Sequence, residues 1–258
     1  MEVALIAPYN MLHTTSHRRY HMLLPSCLQN PLYREYVNTL TESRDKYVIF
    51  DNGMFEDDMM TNDRIIDMAH SWRVDEIVMP DVRGNAEETL KAVDRFLNMF
   101  ELITLPKAPS LMCVVQVQSE REIEGFLYRA ADIERTHFGQ TGVFTFGIPR
   151  RLAEDINSYI RVQIAQWISM VLPSNPIHLL GYARHGRHPR EFNEVQETAG
   201  IVRSIDTDAP FVWASNEAFM DTSGRYERPP RYMDITFLSD RHLEVNQMIL
   251  DRWARGRA

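Results

Sequence analysis

Three aspartates and a glutamine stand where short apolar runs stop. Tyr47-Val48-Ile49-Phe50 leads into Asp51-Asn52-Gly53, Ile77-Val78-Met79 into Pro80-Asp81, Cys113-Val114-Val115 into Gln116, and Ile205 into Asp206-Thr207. Two further runs stop at glycine: Val143-Phe144-Thr145-Phe146 at Gly147, and His178-Leu179-Leu180 at Gly181. One Asp after a strand is ordinarily a helix cap or turn residue. Three of them with a Gln, all at the same end of their strands, form a set, because a parallel barrel brings its C-terminal strand ends to one face. The chemistry such a set supports is that of paired carboxylates. One attacks a sugar carbon while another handles the proton of the leaving group, as in retaining glycosyl transfer. Other chemistries lack their residues. The chain has no Gly-x-Ser-x-Gly elbow, no convincing Cys nucleophile, no Gly-x-Gly-x-x-Gly after its first apolar run and no Gly-Lys-Ser/Thr phosphate loop. His13, His17 and His21 would share a face if helical, but no carboxylate joins them at ligand spacing, so a phosphate-facing or amphipathic segment is the better reading than a metal site.

The elements that must position these residues alternate. Strands are expected at Val3–Ala7, Tyr47–Phe50, Glu76–Met79, Leu111–Val117, Val143–Phe146, Ile177–Leu180 and Ile201–Ile205, all short and rich in Val and Ile, as suits strands buried on both faces. Helical patterns lie between them at Thr61–Trp72, Asn85–Phe100, Ser119–Glu134, Asp155–Val171 and Pro189–Ala199, and Asp240–Arg255 follows the last strand. Asn85 precedes Glu87 and Glu88, which suits a capped N-terminus, and Ser119-Glu120-Arg121-Glu122 has the pattern of a capping box. Strand–helix alternation implies a parallel sheet, either closed as a barrel or open and doubly wound. The expected fold is an α/β (β/α)8 TIM-type barrel forming one domain over 1–258, with a helical end at 240–256. Its eighth strand is irregular, missing, or hidden between Pro8 and Asp45 or at Phe211–Ala214.

Composition sets the bounds. The 258 residues are 44% hydrophobic and 25% charged, ordinary for a soluble domain with a core large enough to need no cross-links. Cys27 and Cys113 provide no disulfide framework. The opening Met1-Glu2-Val3-Ala4-Leu5-Ile6 reads as a first strand rather than a signal peptide, and no apolar stretch is long enough to span a bilayer. A cytoplasmic protein is expected. The net charge of −8 does not advertise a nucleic-acid binder, yet binding follows local fields, and the basic residues cluster: His17 to His21, Arg184 to Arg190, Arg225 to Arg231, and Arg252 to Arg257.

In their order these motifs resemble the tRNA-guanine transglycosylases, and most closely the smaller phage-type relatives that insert 7-deazaguanine bases into DNA. Phe50-Asp51-Asn52-Gly53-Met54-Phe55 resembles the family's Asp-Ser-Gly-Gly-aromatic motif. Ile77-Val78-Met79-Pro80-Asp81 and Val114-Val115-Gln116 resemble its two base-reading strands. Gly142-Val143-Phe144-Thr145-Phe146-Gly147 resembles Gly-Gly-Leu-Ala-Val-Gly, with Val143 in place of the second Gly. Leu179-Leu180-Gly181 and Ser204-Ile205-Asp206-Thr207 resemble the segments that cover the base and carry the nucleophile. The resemblance implies Asp206 as nucleophile, Asp51 as general acid/base, and Asp81 and Gln116 as readers of the guanine edge. It implies Phe55 as a stacking partner, Gly142 and Val143 as backbone contacts to the base, and Leu180 with Gly181 over the base's other face. Arg184, Arg187 and Arg190 would hold phosphates of the nucleic acid.

The resemblance further implies base exchange by double displacement through a covalent Asp–sugar intermediate. DNA, guanine and a free 7-deazaguanine base of the preQ0 or preQ1 type are then the partners, with the target nucleotide taken out of the stack. A phage-encoded chain would act in the host cytoplasm. The tRNA enzymes carry a Cys-x-Cys-x-x-Cys…His zinc site after the nucleophile strand. No Cys follows Asp206 here, so no zinc or other cofactor is expected, and DNA is favoured over tRNA. The alternatives are a tRNA-guanine transglycosylase, a barrel nucleosidase or hydrolase acting on small nucleosides, and a non-catalytic nucleic-acid-binding paralogue.

Overall fold

The structure, a computed structural model, describes residues 1–54, 60–100, 108–157, 159–181, 202–220, 232–235 and 238–255. Eight parallel strands form the sheet: β1 (Glu2–Leu5), β2 (Tyr20–Leu23), β3 (Tyr47–Phe50), β4 (Glu76–Val78), β5 (Ser110–Val114), β6 (Phe144–Pro149), β7 (Ile177–Leu180) and β8 (Val202–Thr207). Their order is β1-β8-β7-β6-β5-β4-β3-β2, with β1 and β2 side by side across the remaining seam, so the sheet curls into a nearly closed (β/α)8 TIM barrel. The eighth strand is β2, within the Pro8–Asp45 stretch. Phe211–Ala214 instead lies inside a helix.

The helices pack outside the sheet: α1 (Pro31–Glu42), α2 (Asn62–Trp72), α3 (Ala86–Phe100), α4 (Glu120–Phe138), α5 (Arg151–Asp155), α6 (Ile160–Val171), α7 (Ala209–Ser215) and α8 (Asp240–Ala254). Asn30 caps α1 by accepting from the Leu32 N–H (2.9 Å) ahead of Pro31, and Asn85 accepts from the Glu88 N–H (3.0 Å) at the start of α3. The capping box at α4 takes another form. Glu122 accepts from the Gln118 N–H (3.0 Å), one residue earlier than a box requires, and the Ser119 hydroxyl makes no cap bond to the helix. Helix α4 runs past Glu134 to Phe138 and stops at Gly139, whose φ of +70° suits a residue without Cβ. The expected Asp155–Val171 helix is two. Asn157 accepts from the Tyr159 N–H (2.8 Å), a local turn that competes with helical bonding and separates α5 from α6. Pro189–Ala199 lies outside the described residues, as do Arg225 and Arg228.

One contiguous core fills the space between sheet and helices, with Phe50, Phe96, Phe144, Phe146 and Phe211 among its fully buried side chains. Helix α8 packs on α7 and β1, and its Asp251 pairs with Arg18 (2.8 Å) ahead of β2. No helix among the described residues is long and apolar enough to cross a membrane.

Candidate active site

Side chains alternate along each strand, so every second residue points toward the barrel axis. Followed to the C-terminal end, these inward series reach Ile6, Leu24, Asp51, Gln116, Pro149, Leu180, Asp206 and Asp208. All of these line one cleft of about 500 Å³, together with Asp81 from the loop after β4. The walls are apolar, from Met22, Met54, Val78 and Val114, and Arg83, Arg150 and Arg151 line the cleft as well, Arg150 paired with Glu154 (3.2 Å) and Arg151 with Asp155 (3.5 Å). This is the end at which a barrel's loops carry chemistry.

Asp81 is buried and held at both of its oxygens. Its two oxygens accept separately, Oδ1 from Asn52 Nδ2 (2.6 Å) and Oδ2 from Gln116 Nε2 (2.5 Å). Backbone contacts orient both amides. Asn52 also donates to the Met79 carbonyl (2.9 Å) and accepts from the Met54 N–H (2.9 Å), and Gln116 Oε1 accepts from the Gly84 N–H (2.9 Å). Neither amide can turn round, so each must present N–H to Asp81. Burial pushes the Asp81 carboxyl above the usual carboxylate range, and the Asn52 and Gln116 hydrogen bonds draw it partly back. Two acceptor lone pairs remain for a ligand, and Gln116 Nε2 keeps a second N–H.

Asp206 is buried and held on one side. Its Oδ1 accepts from the Gly181 N–H (2.9 Å) and from His178 Nε2 (3.1 Å). Behind His178, Nδ1 meets Ser204 Oγ (2.8 Å), and Ser204 meets Arg203 Nε (3.3 Å). Arg203 crosses the barrel interior from β8 to the opposite wall. It pairs with the fully buried Glu76 of β4 (2.5 Å), reaches Tyr47 and Thr145 (3.2 Å each), and lies over the Tyr20 and Tyr47 rings. A β-bulge permits this. Ile177 pairs with Val202 and His178 with Ser204, so Arg203 is the extra residue and turns inward beside Ser204 rather than outward. The trio Ser204-His178-Asp206 has the composition of a serine triad but the reverse order. The carboxylate faces the cleft, and the serine is sealed in the interior with no exposed surface.

The structure thus brings Asp51, Asp81, Gln116, Leu180, Gly181 and Asp206 together. Asp51 is half-buried, with Oδ2 3.4 Å from the Gly53 N–H. Gly142 and Val143 are elsewhere. They precede β6 and therefore sit at the barrel's other end, where the Val143 N–H donates to Glu134 (2.5 Å) and Gly142, at φ +96°, packs against Ser174. The β6 residues nearer the cleft begin at Gly147, five positions beyond Gly142. A Cβ at Gly147 would come within 2.9 Å of both Leu180 Cδ1 and Met112 Sδ, and Pro149 lines the cleft itself. Phe55, Arg184, Arg187 and Arg190 lie outside the described residues.

His13, His17 and His21 share no helix: His13 is in a 3-10 turn, and His21 is in β2. His21 is buried between Tyr36 (2.9 Å) and the Arg18 carbonyl (2.8 Å), and burial pushes it down to about 4. The residue pattern alone does not single out Asn52, His178, Arg203, Ser204, Glu76 or the cleft arginines. A signal for some was present, since Glu76, His178 and Ser204 interrupt strands that are otherwise apolar.

No protein-family model matches the chain, and no curated protein matches it. Among solved structures it is similar to D-psicose 3-epimerase from Clostridium cellulolyticum H10, solved with D-tagatose. The TM-score is 0.57 at 12% identity, over 99% of this chain and 98% of that one. At that identity the likeness concerns the barrel fold alone.

Proposed function

We propose that the protein is an enzyme, a base-exchange transglycosylase that replaces guanine in DNA with a 7-deazaguanine. The observation that carries this reading is the Asp81 node: a buried carboxylate with spare acceptor capacity, fixed by two locked amides in the cleft that also holds Asp206 and Asp51. Guanine's pairing edge offers two adjacent N–H donors and a carbonyl. Asp81 accepts from the donors, and the second N–H of Gln116 serves the carbonyl. Asp206 Oδ2 attacks C1′, the C1′–N9 bond breaks with its electron pair going to the base, and Asp51 protonates the departing guanine. The incoming base then gives its N9 proton to Asp51, N9 bonds to C1′, and the C1′–Oδ2 pair returns to Asp206.

A polymeric substrate is supported over a free nucleoside chiefly by the exposed Arg83, which lines the cleft where phosphates flanking an extruded nucleotide would lie; Arg150 and Arg151 line it too but pair with Glu154 (3.2 Å) and Asp155 (3.5 Å). The test is release of labelled guanine from duplex DNA, with mass spectrometry of the nucleosides after incubation with candidate bases. Asp206→Asn is expected to abolish exchange, and exchange that survives in this variant refutes the mechanism.

A further inference from the structure

We infer that His178 is the positioning residue of Asp206: held as the Nε2–H tautomer by Ser204 and Arg203, it binds Oδ1 and leaves Oδ2 as the attacking atom. This rests on the reading of Asp206 as nucleophile. The tautomer follows from counting protons. A carboxylate only accepts, so the ring nitrogen facing Asp206 Oδ1 carries the proton, and Nδ1 of the neutral imidazole accepts from Ser204 Oγ, whose oxygen in turn accepts from Arg203 Nε. The ring proton is then on Nε2, aimed at Asp206 Oδ1. With the Gly181 N–H, Oδ1 has two donors, whereas Oδ2 accepts no hydrogen bond among the described residues. The charged groups along this column are Asp206, Arg203 and Glu76, and Glu76 neutralises Arg203 at the far end.

Donors on Oδ1 affect the two displacements differently. They orient Asp206 for attack, and they stabilise the carboxylate as it leaves, when the C1′–Oδ2 pair returns to it. A charge-assisted hydrogen bond of this kind changes a rate about ten- to a hundredfold. Loss of His178 therefore falls most heavily on the second displacement, and the covalent protein–DNA intermediate accumulates.

The experiment has two arms. In the first, nitrogen NMR of the full-length protein reads the His178 ring. Nδ1 is expected to be an unprotonated acceptor and Nε2 the protonated nitrogen, and Ser204→Ala is expected to mix the tautomers. A proton on Nδ1 in the unaltered protein overturns the positioning chain. In the second, protein is mixed with duplex DNA and a 7-deazaguanine base, and adduct that survives denaturation is measured beside turnover. His178→Leu is expected to lower turnover ten- to a hundredfold while raising the adduct fraction. His178→Gln, which keeps an amide N–H, is expected to restore both to within a few-fold of the unaltered protein. Equal loss of adduct and turnover in a Leu variant whose circular dichroism is unchanged overturns the proposal. Absence of both adduct and exchange in the unaltered protein overturns the assignment of Asp206 itself, a failure the NMR arm separates from a misplaced ring proton.

Discussion

Replacing Asp81 with Asn tests the base-reading node through the geometry of its two amides. Asn52 is pinned by Met79 and Met54, and Gln116 by Gly84, so both keep N–H directed at position 81. A carboxylate meets them with two oxygens; an asparagine has one oxygen, and its NH2 faces another NH2. One buried donor loses its partner, at about 1–3 kcal/mol. Removing a buried charge offsets part of this at neutral pH. The offset depends on pH. Burial raises the folded-state pKa of Asp81, so the folded protein binds this proton more tightly than the unfolded chain. The unaltered protein therefore gains stability as pH falls through that raised value, and Asp81→Asn has no such gain. Urea unfolding is expected to show the variant modestly less stable at neutral pH, with the gap widening under mildly acid conditions. Base exchange is expected to fall about ten- to a hundredfold, the loss of one charge-assisted bond to guanine. A variant more stable than the parent at neutral pH would mean that the amides are not locked. Unchanged exchange kinetics would remove Asp81 from base reading altogether.

Three other perturbations probe the surroundings. Gly147→Ala places a Cβ 2.9 Å from Leu180 Cδ1 and Met112 Sδ, and because both are side-chain ends they shift at about 1–3 kcal/mol, seen as a lower Tm and a higher KM for the base. Glu76→Ala leaves Arg203 uncompensated inside the barrel and is expected to cost about 3–5 kcal/mol in urea unfolding, more than Glu76→Gln. Arg83→Ala is expected to weaken binding to DNA of any sequence and to lower the slope of log affinity against log salt by about one. An unchanged slope would remove Arg83 from phosphate contact.

The bounds of β3 and β7 could be read directly, because a strand covered on both faces appears as an apolar run between polar residues. Strand β2 could not. Only four residues long, it follows the Thr15-Ser16-His17 turn and Arg18-Arg19, and its own His21 makes the segment resemble a basic cluster; that buried histidine is bonded to Tyr36, fifteen positions away. Asp51, Asp81, Gln116 and Asp206 were legible because a polar residue just past an apolar run marks a strand end. Gly142 and Val143, which the resemblance implied, show where strand ends mislead: Gly147 looks like a strand terminator, yet β6 continues through it to Pro149, so the cleft end lies two residues beyond Gly147. His178, Arg203 and Glu76 gain their meaning from partners across the barrel, and a bulge that reverses the parity of β8 leaves no mark in its residue pattern.

The bulge at Arg203 bears on how this barrel can change over evolution. In most such folds one end keeps the protein folded and the other is free to acquire new chemistry by exchanging loops. Here a single inserted residue links the two ends through one column of polar groups, from Glu76 to Asp206. Deleting that residue would return β8 to plain alternation, remove the Arg203 guanidinium from the interior and break the column at its middle. The scaffold and the site are therefore inherited together, and grafting new loops onto this barrel would carry along a constraint set at its opposite end.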